Sequence, residues 1–212
     1  MIGHDQRATR QGVKSSVCRR VTQPHPRHRL NEPELQQAAV AVAVGPTDTD
    51  AAGFVLTRRA AGLRSHPHQY ALPGGRVDPG ETPTDAARRE LSEEVGINAG
   101  DDAVLGLLDD YRTRSGYVIT PVVMWLEGFS GMVAQPTEVD EIHIIKLDEL
   151  DRRDSPRWIS IAESDLLVLQ LPLRDRLIHA PTGAVLYQFR EVCLWARLAR
   201  IDTIEEPVWA WR

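Results

Sequence analysis

Glu90, Glu93 and Glu94 fall at i, i+3 and i+4, so in a helix their carboxylates leave from one face. Like charges at that spacing repel, and a hard divalent cation with oxygen ligands offsets the repulsion directly. Alone, three such glutamates equally describe a solvated acidic face. The residues around them narrow the reading. Five residues separate Gly75 from Glu81 and seven more separate Glu81 from Arg89; then come Glu90-Leu91-Ser92-Glu93-Glu94-Val95-Gly96-Ile97. With U apolar, the pattern is G-x5-E-x7-R-E-U-x-E-E-x-G-U. Gly74 and Gly75 allow the backbone to turn sharply and to come close to a metal or a phosphate.

The helix that must carry the glutamates is expected over Pro83–Val95. Thr82 is its N-cap, Pro83 its first residue, Asp85 the capping-box partner and Gly96 the stop. Ala86, Ala87, Leu91 and Val95 form its buried stripe. Ahead of it, Ala38–Val44 is a buried-strand pattern closed by Gly45-Pro46, and Gly53–Thr57 reads as a second strand. Further strands are expected at Ala103–Leu108, Tyr117–Leu126, interrupted at Pro121, and Ile142–Leu147. After Trp158 the pattern predicts a short helix, a Leu171–Leu177 segment, a hairpin turn at Ala180–Gly183 and a C-terminal helix near Phe189–Ile201.

The chain has 212 residues, 42% hydrophobic and 26% charged, which is ordinary globular usage. No apolar run approaches the ~20 residues of a membrane-spanning helix. Cys18 and Cys193, its two cysteines, are too few for a disulfide scaffold and lack metal-ligand spacing. The N-terminus has no apolar core of a secretory signal, so a cytoplasmic location is expected. Residues 1–30 carry seven Lys/Arg against Asp5, a net +6 that leaves −11 for the rest. Residues 1–34 are expected to be a basic, flexible extension, with Gln23–Arg29 as a linker, and residues 35–212 one domain. An acidic body argues against dedicated nucleic-acid binding and suits a protein that collects divalent cations.

The spacing from Gly75 to Ile97 matches the Nudix box at every specified position. Seven fixed identities at roughly 1 in 15 each make a chance match about one in 10⁸ per starting point. The chain resembles a Nudix hydrolase. That resemblance implies an α/β fold: an α/β/α sandwich with a mixed β-sheet and a loop–helix–loop motif. It further implies hydrolysis of a nucleoside diphosphate linked to another group, with Mg²⁺ or Mn²⁺ as cofactor. Glu90, Glu93, Glu94 and the Gly75 carbonyl are the implied metal ligands, and Glu93, Glu94 and Arg89 the implied catalytic set. Arg89 is expected to brace the loop by pairing with Glu81.

Outside the box, Leu56–Gln69 running into Leu72-Pro73-Gly74-Gly75 resembles the segment preceding the box in coenzyme A pyrophosphatases. His68 stands where that pattern has glycine, and Leu72 where it has phenylalanine. Ser115–Val123 and Glu138–Leu150 resemble further passages of the same branch. The implied substrate is coenzyme A or a derivative, cleaved to 3′,5′-ADP and 4′-phosphopantetheine. Arg58, Arg59, Arg64 and His66 are the candidate substrate-binding residues, because guanidinium groups recognise phosphate bidentately. The same residues could instead pair with the acidic body or sit on a surface loop. Glu141 is either an extra metal ligand, a general base or a solvent-facing strand carboxylate. ADP-ribose, a dinucleoside polyphosphate or a damaged nucleoside triphosphate are alternative substrates, and a non-hydrolytic nucleotide sensor is the alternative outside enzymes. The partner is therefore a small-molecule nucleotide, with no membrane and with room for a homodimer.

Overall fold

The computed structural model describes residues 26–49, 51–63 and 67–211. A first, mixed sheet contains β1 (Gln36–Pro46), β2 (Ala52–Arg59), β3 (Tyr70–Ala71), β4 (Gly74–Arg76), β5 (Val104–Leu107), β6 (Tyr111–Arg112), β7 (Tyr117–Trp125) and β8 (Val139–Lys146). A second sheet contains β9 (Arg157–Ile161), β10 (Ser164–Leu173), β11 (Arg176–His179) and β12 (Ile204–Glu205). Helix α1 (Pro83–Val95) and helix α2 (Thr182–Phe189) complete the architecture.

The Ala/Val alternation of β1 decides the layering, because successive strand side chains point to opposite faces. Ala39, Ala41 and Ala43 face α1 and pack with its Ala86, Ala87, Leu91 and Val95. Small residues on both partners let the helix lie close to the sheet. Val42 and Val44 belong to the other core, with Leu169 and Leu171 of β10 and Val185 and Leu186 of α2. The mixed sheet is thus covered by α1 on one face and by α2 with the second sheet on the other, as an α/β/α sandwich requires.

Three pairings of β1 position the site. It runs parallel to β7, from Gln36 opposite Tyr117 to Val44 opposite Trp125. It pairs antiparallel with β2 at one end and with β4 at the other, where Ala39 lies opposite Gly75. Pro121 does not interrupt β7. It lies where β7 changes partner from β6 to β5, and its carbonyl accepts Leu108 N–H across the junction (3.0 Å).

α1 has the bounds and caps its sequence predicts. Thr82 and Asp85 close a reciprocal capping box, and Gly96, at φ 75°, donates its N–H to Ser92 O. The later elements differ from expectation. Where a short helix was expected after Trp158, β9 and β10 form an antiparallel pair; a short apolar run such as Leu166–Leu171 does not distinguish strand from helix by periodicity. The hairpin turn falls at Arg174–Asp175, between β10 and β11, not at Ala180–Gly183. Residues 181–183 instead open α2, and Gly183 packs so tightly on β11 that a Cβ there would lie 2.7 Å from Ile178 O. The predicted Phe189–Ile201 helix lies earlier: α2 ends at Phe189 and a π-helical turn, Arg190–Leu194, carries the chain on.

Residues 1–25 lie outside the described residues. Arg27 to Leu30, expected in a linker, are tied to the domain. Arg27 Nε donates to Leu108 O (2.9 Å), His28 N–H to Asp109 Oδ1 (2.7 Å) and Leu30 N–H to Asp110 Oδ2 (2.9 Å). Buried Asp109 and Asp110 need these donors, which is why this stretch of chain docks. No described helix is long and apolar enough to cross a membrane.

Candidate functional site

Gly74 and Gly75 are required for space rather than for a turn. A Cβ at Gly74 would overlap the Ala39 carbonyl, and one at Gly75 would overlap the Glu90 carboxylate. Neither residue has the left-handed φ of Gly80 or Gly96. The antiparallel β1–β4 pairing therefore presses the Gly75 backbone against the carboxylate of Glu90 on α1.

Arg89 organises the acidic face. Its Nε donates to Glu81 Oε1 (3.0 Å) and its Nη2 to Glu81 Oε2 (3.2 Å) and to Arg76 O (2.9 Å). Its Nη1 donates to Glu90 Oε1 (2.8 Å) and Glu93 Oε2 (3.0 Å). Glu81 Oε2 also accepts Asp78 N–H (3.0 Å), which fastens the loop between β4 and α1. The hydrogen bond from Arg89 holds the Glu81 carboxyl below the usual carboxylate range. Lysine keeps the charge but not the planar fork. Arg89→Lys is expected to lower divalent-cation affinity and activity by roughly 10–100-fold, as measured by cation titration and kcat/KM.

Glu90, Glu94 and Glu138 bring one carboxylate oxygen each within 4.8 Å of one another. Glu94 is 4% exposed, and its Oε2 is buried without a hydrogen-bond partner among the described residues. Burial, ahead of repulsion from Glu90, pushes Glu94 up to about 8; burial also raises Glu90. Three carboxylates converging on one point, one with an orphaned buried oxygen, fit a hard divalent cation. The donor set and the adjoining Gly75 backbone thus agree with the Mg²⁺ or Mn²⁺ expectation.

Glu93 is exposed, bonded to Arg89, and is not one of the three carboxylates that converge. Glu138, just ahead of β8, takes the third place. Its N–H donates to Gln135 O (2.9 Å) and its carbonyl accepts Ala60 N–H (2.9 Å), which fixes it beside β2. Sequence reasoning considered Glu141 instead. Glu141 is engaged by Arg58 (2.6 Å) and by His143 (3.0 Å), opposite Arg58 in the β2–β8 ladder. The signal for Glu138 was its place opening the Glu138–Leu150 passage; that it comes to lie beside Glu90 and Glu94 depends on β8 pairing with β2, which is not written in local sequence. Glu138→Gln is expected to weaken Mg²⁺ binding about tenfold or more, with Glu141→Gln unchanged, by calorimetric titration.

The four substrate-binding candidates divide. Arg64 and His66 lie outside the described residues. Arg58 is engaged by Asp140 (2.6 Å) as well as Glu141. Arg59 lies close enough to Glu94 to favour its charged form, and its Nε is buried without a partner among the described residues. Arg59 and Gly74 line a groove of about 450 Å³, with Tyr70, Thr113, Ser115 and Tyr117 along it and Pro181, Thr182 and Glu206 opposite. The groove is lined by the mixed sheet and by the C-terminal part of the chain, and Arg59 and Gly74 are the lining residues that also act on Glu94.

A family model for the NUDIX domain matches residues 35–165. Nudix hydrolase 3 of Caenorhabditis elegans is 34% identical over 134 residues, 61% of this chain and 55% of that protein. A protein of Photorhabdus laumondii subsp. laumondii called "Uncharacterized Nudix hydrolase NudL" is 37% identical over 110 residues, 51% of this chain and 59% of that one. The chain thus spans a little over half the length of these curated relatives. A solved MutT/nudix family protein from Enterococcus faecalis superposes with a TM-score of 0.57 at 18% identity, over 79% of this chain and 66% of that one, which is a likeness of fold.

Proposed function

The chain belongs to the Nudix family, and on that premise we propose that it is a Mg²⁺- or Mn²⁺-dependent pyrophosphohydrolase acting on coenzyme A or a coenzyme A derivative. The observation that carries the reading is the convergence of Glu90, Glu94 and Glu138, with Arg59 and Gly74, which both act on Glu94, also lining the groove.

Glu90, Glu94 and Glu138 would hold the cation, beside the Gly75 backbone. When bound, it supplies charge neutralisation to a diphosphate and acidity to a water. Arg89 holds Glu90 and Glu93 in place and ties both to the loop through Glu81. Arg59 lines the groove, where its guanidinium would donate to a phosphate oxygen. Glu93, exposed beside Arg89, is the further carboxylate available to the reacting water. Water adds to one phosphorus and the other phosphate leaves, giving 3′,5′-ADP and 4′-phosphopantetheine. Coenzyme A is preferred over other diphosphates because the Leu56–Gly75 and Ser115–Val123 segments that resemble its hydrolases supply Arg59, Gly74 and Tyr117 to the groove wall.

The test is incubation of the full chain with coenzyme A and Mg²⁺ at mildly alkaline pH, with ADP-ribose and dGTP alongside and Glu94→Gln as the blank. Release of 3′,5′-ADP by the wild type alone is expected. Faster cleavage of ADP-ribose or dGTP overturns the substrate, and binding of nucleotides without any turnover overturns the enzymatic reading.

A further inference from the structure

A second hollow adjoins the groove: Gln69, Tyr70, Ala180, Pro181 and Thr182 line both it, at about 380 Å³, and the groove. Its remaining wall is built from His68, Arg176, Leu177, Ile178, His179 and Trp209. All but His68 lie beyond residue 165, where the family match ends, so this hollow belongs to the chain's own C-terminal part.

Its side chains form a set. Trp209 is 53% exposed, an unusual placement for the largest apolar side chain. His179 meets it edge-on, with ring centroids 5.4 Å apart and planes at 85°. That contact steadies the indole, and with half of its surface exposed the indole still offers area for stacking. Burial lowers the pKa of His179, so near neutrality it is an uncharged brace rather than a cation. The charge comes from Arg176, whose exposed guanidinium has as its ionic partner among the described residues only the exposed Asp175, at 3.5 Å. His68 adds an independent sign. It holds a left-handed backbone at φ 60°, pinned by its N–H to Arg59 O (3.1 Å), where an L-residue is strained and glycine would rest easily. A side chain kept at such a position, on the rim of a cleft, points to a role for that side chain.

We propose that this hollow is a second subsite, taking the nucleoside end of a substrate whose nucleoside carries an additional phosphate: the base stacks on Trp209 and the phosphate meets Arg176 and His68. A planar aromatic side chain, an exposed guanidinium and an imidazole in one hollow match that ligand in both its parts. The subsite rests on the reading of the groove as the place where a nucleoside diphosphate derivative is cleaved, and it adds which end of the substrate lies toward β11.

The probe is adenosine 3′,5′-bisphosphate, titrated calorimetrically into the full chain without divalent cation, with AMP and inorganic phosphate as comparisons. The bisphosphate is expected to bind more tightly than AMP. Trp209→Ala is expected to weaken it about tenfold or more, and Trp209→Phe, which keeps a stacking face, to recover most of the loss. Arg176→Gln is expected to bring the bisphosphate down to the affinity of AMP while leaving AMP unchanged. Equal melting temperatures across the variants separate recognition from folding. Wild-type affinity in Trp209→Ala and Arg176→Gln, or no preference of the wild type for the bisphosphate, overturns the subsite. Trp209-dependent binding without coenzyme A turnover overturns the proposed reaction and leaves the subsite standing; coenzyme A turnover with an unchanged KM in Trp209→Ala does the reverse.

Discussion

Glutamine in place of Glu94 is expected to abolish turnover while making the cation-free protein more stable at alkaline pH. Glu94 is buried beside Glu90 and Glu138, and its pKa rises from 4.5 to about 8 on folding. The folded state therefore holds this proton more firmly than the unfolded state. The resulting stability is present below pH 4.5 and is lost as pH rises to about 8. Above that window the wild type carries an uncompensated buried charge, on the order of 3 kcal/mol, which glutamine does not have. Thermal melts in chelator should show the variant roughly 6–12 °C above wild type near pH 9 and level with it near pH 4.5. Millimolar Mg²⁺ should raise the wild-type melting temperature and leave the variant unmoved, because the cation stabilises only the state that binds it. Activity should fall roughly 10³-fold. Equal melting at both pH values, or a Mg²⁺ shift retained by the variant, would show that Glu94 is not a ligand.

Loss of Arg190 is expected to unfold the C-terminal part that forms the groove's far wall. Arg190 is 2% exposed, and its Nε and Nη2 both donate to Glu191 Oε1 (3.0 and 2.8 Å). Its Nη1 donates to the carbonyls of Leu150 and Ser155 (3.2 Å each), and its guanidinium lies over the rings of Trp195 and Tyr187. One side chain thus joins the π-helical turn to the loop between β8 and β9. Arg190→Ala leaves Glu191 buried without that partner and two carbonyls without donors, at a cost of about 3–5 kcal/mol. The melting temperature should fall by roughly 6–20 °C. Arg190→Met, which keeps the volume, should restore little, since packing is not what the guanidinium supplies here. Recovery to the wild-type melting temperature by methionine would refute that assignment.

Local chemistry made the helix legible. Thr82, Pro83, Asp85 and Gly96 each act within one turn of their own position, so the bounds of α1, and with them the shared face of Glu90, Glu93 and Glu94, follow from the order of residues alone. The pairing of Arg89 with Glu81, which the resemblance to the Nudix box implied, is present as well. The buried strand over Ala38–Val44 was legible too, while which core each of its faces serves came from packing against α1 and α2. Beyond that reach the sequence is silent. The C-terminal apolar runs fit either period, and only pairing with β9, β11 and β12 made β10 a strand.

The box therefore determined by itself which helix carries the acidic charge and what it can attract. The tertiary structure decided which carboxylates meet. Glu138 joins Glu90 and Glu94 because β8 pairs with β2 through a register shift at Arg58/Arg59, which sets the chain ahead of β8 beside the helix. Glu93, though on the same helix, stays exposed and outside that convergence, and Arg58 is taken up by Asp140 and Glu141 across the ladder. A helix writes its geometry in neighbouring residues, whereas convergence of strands and loops depends on pairings between distant residues that no local pattern encodes.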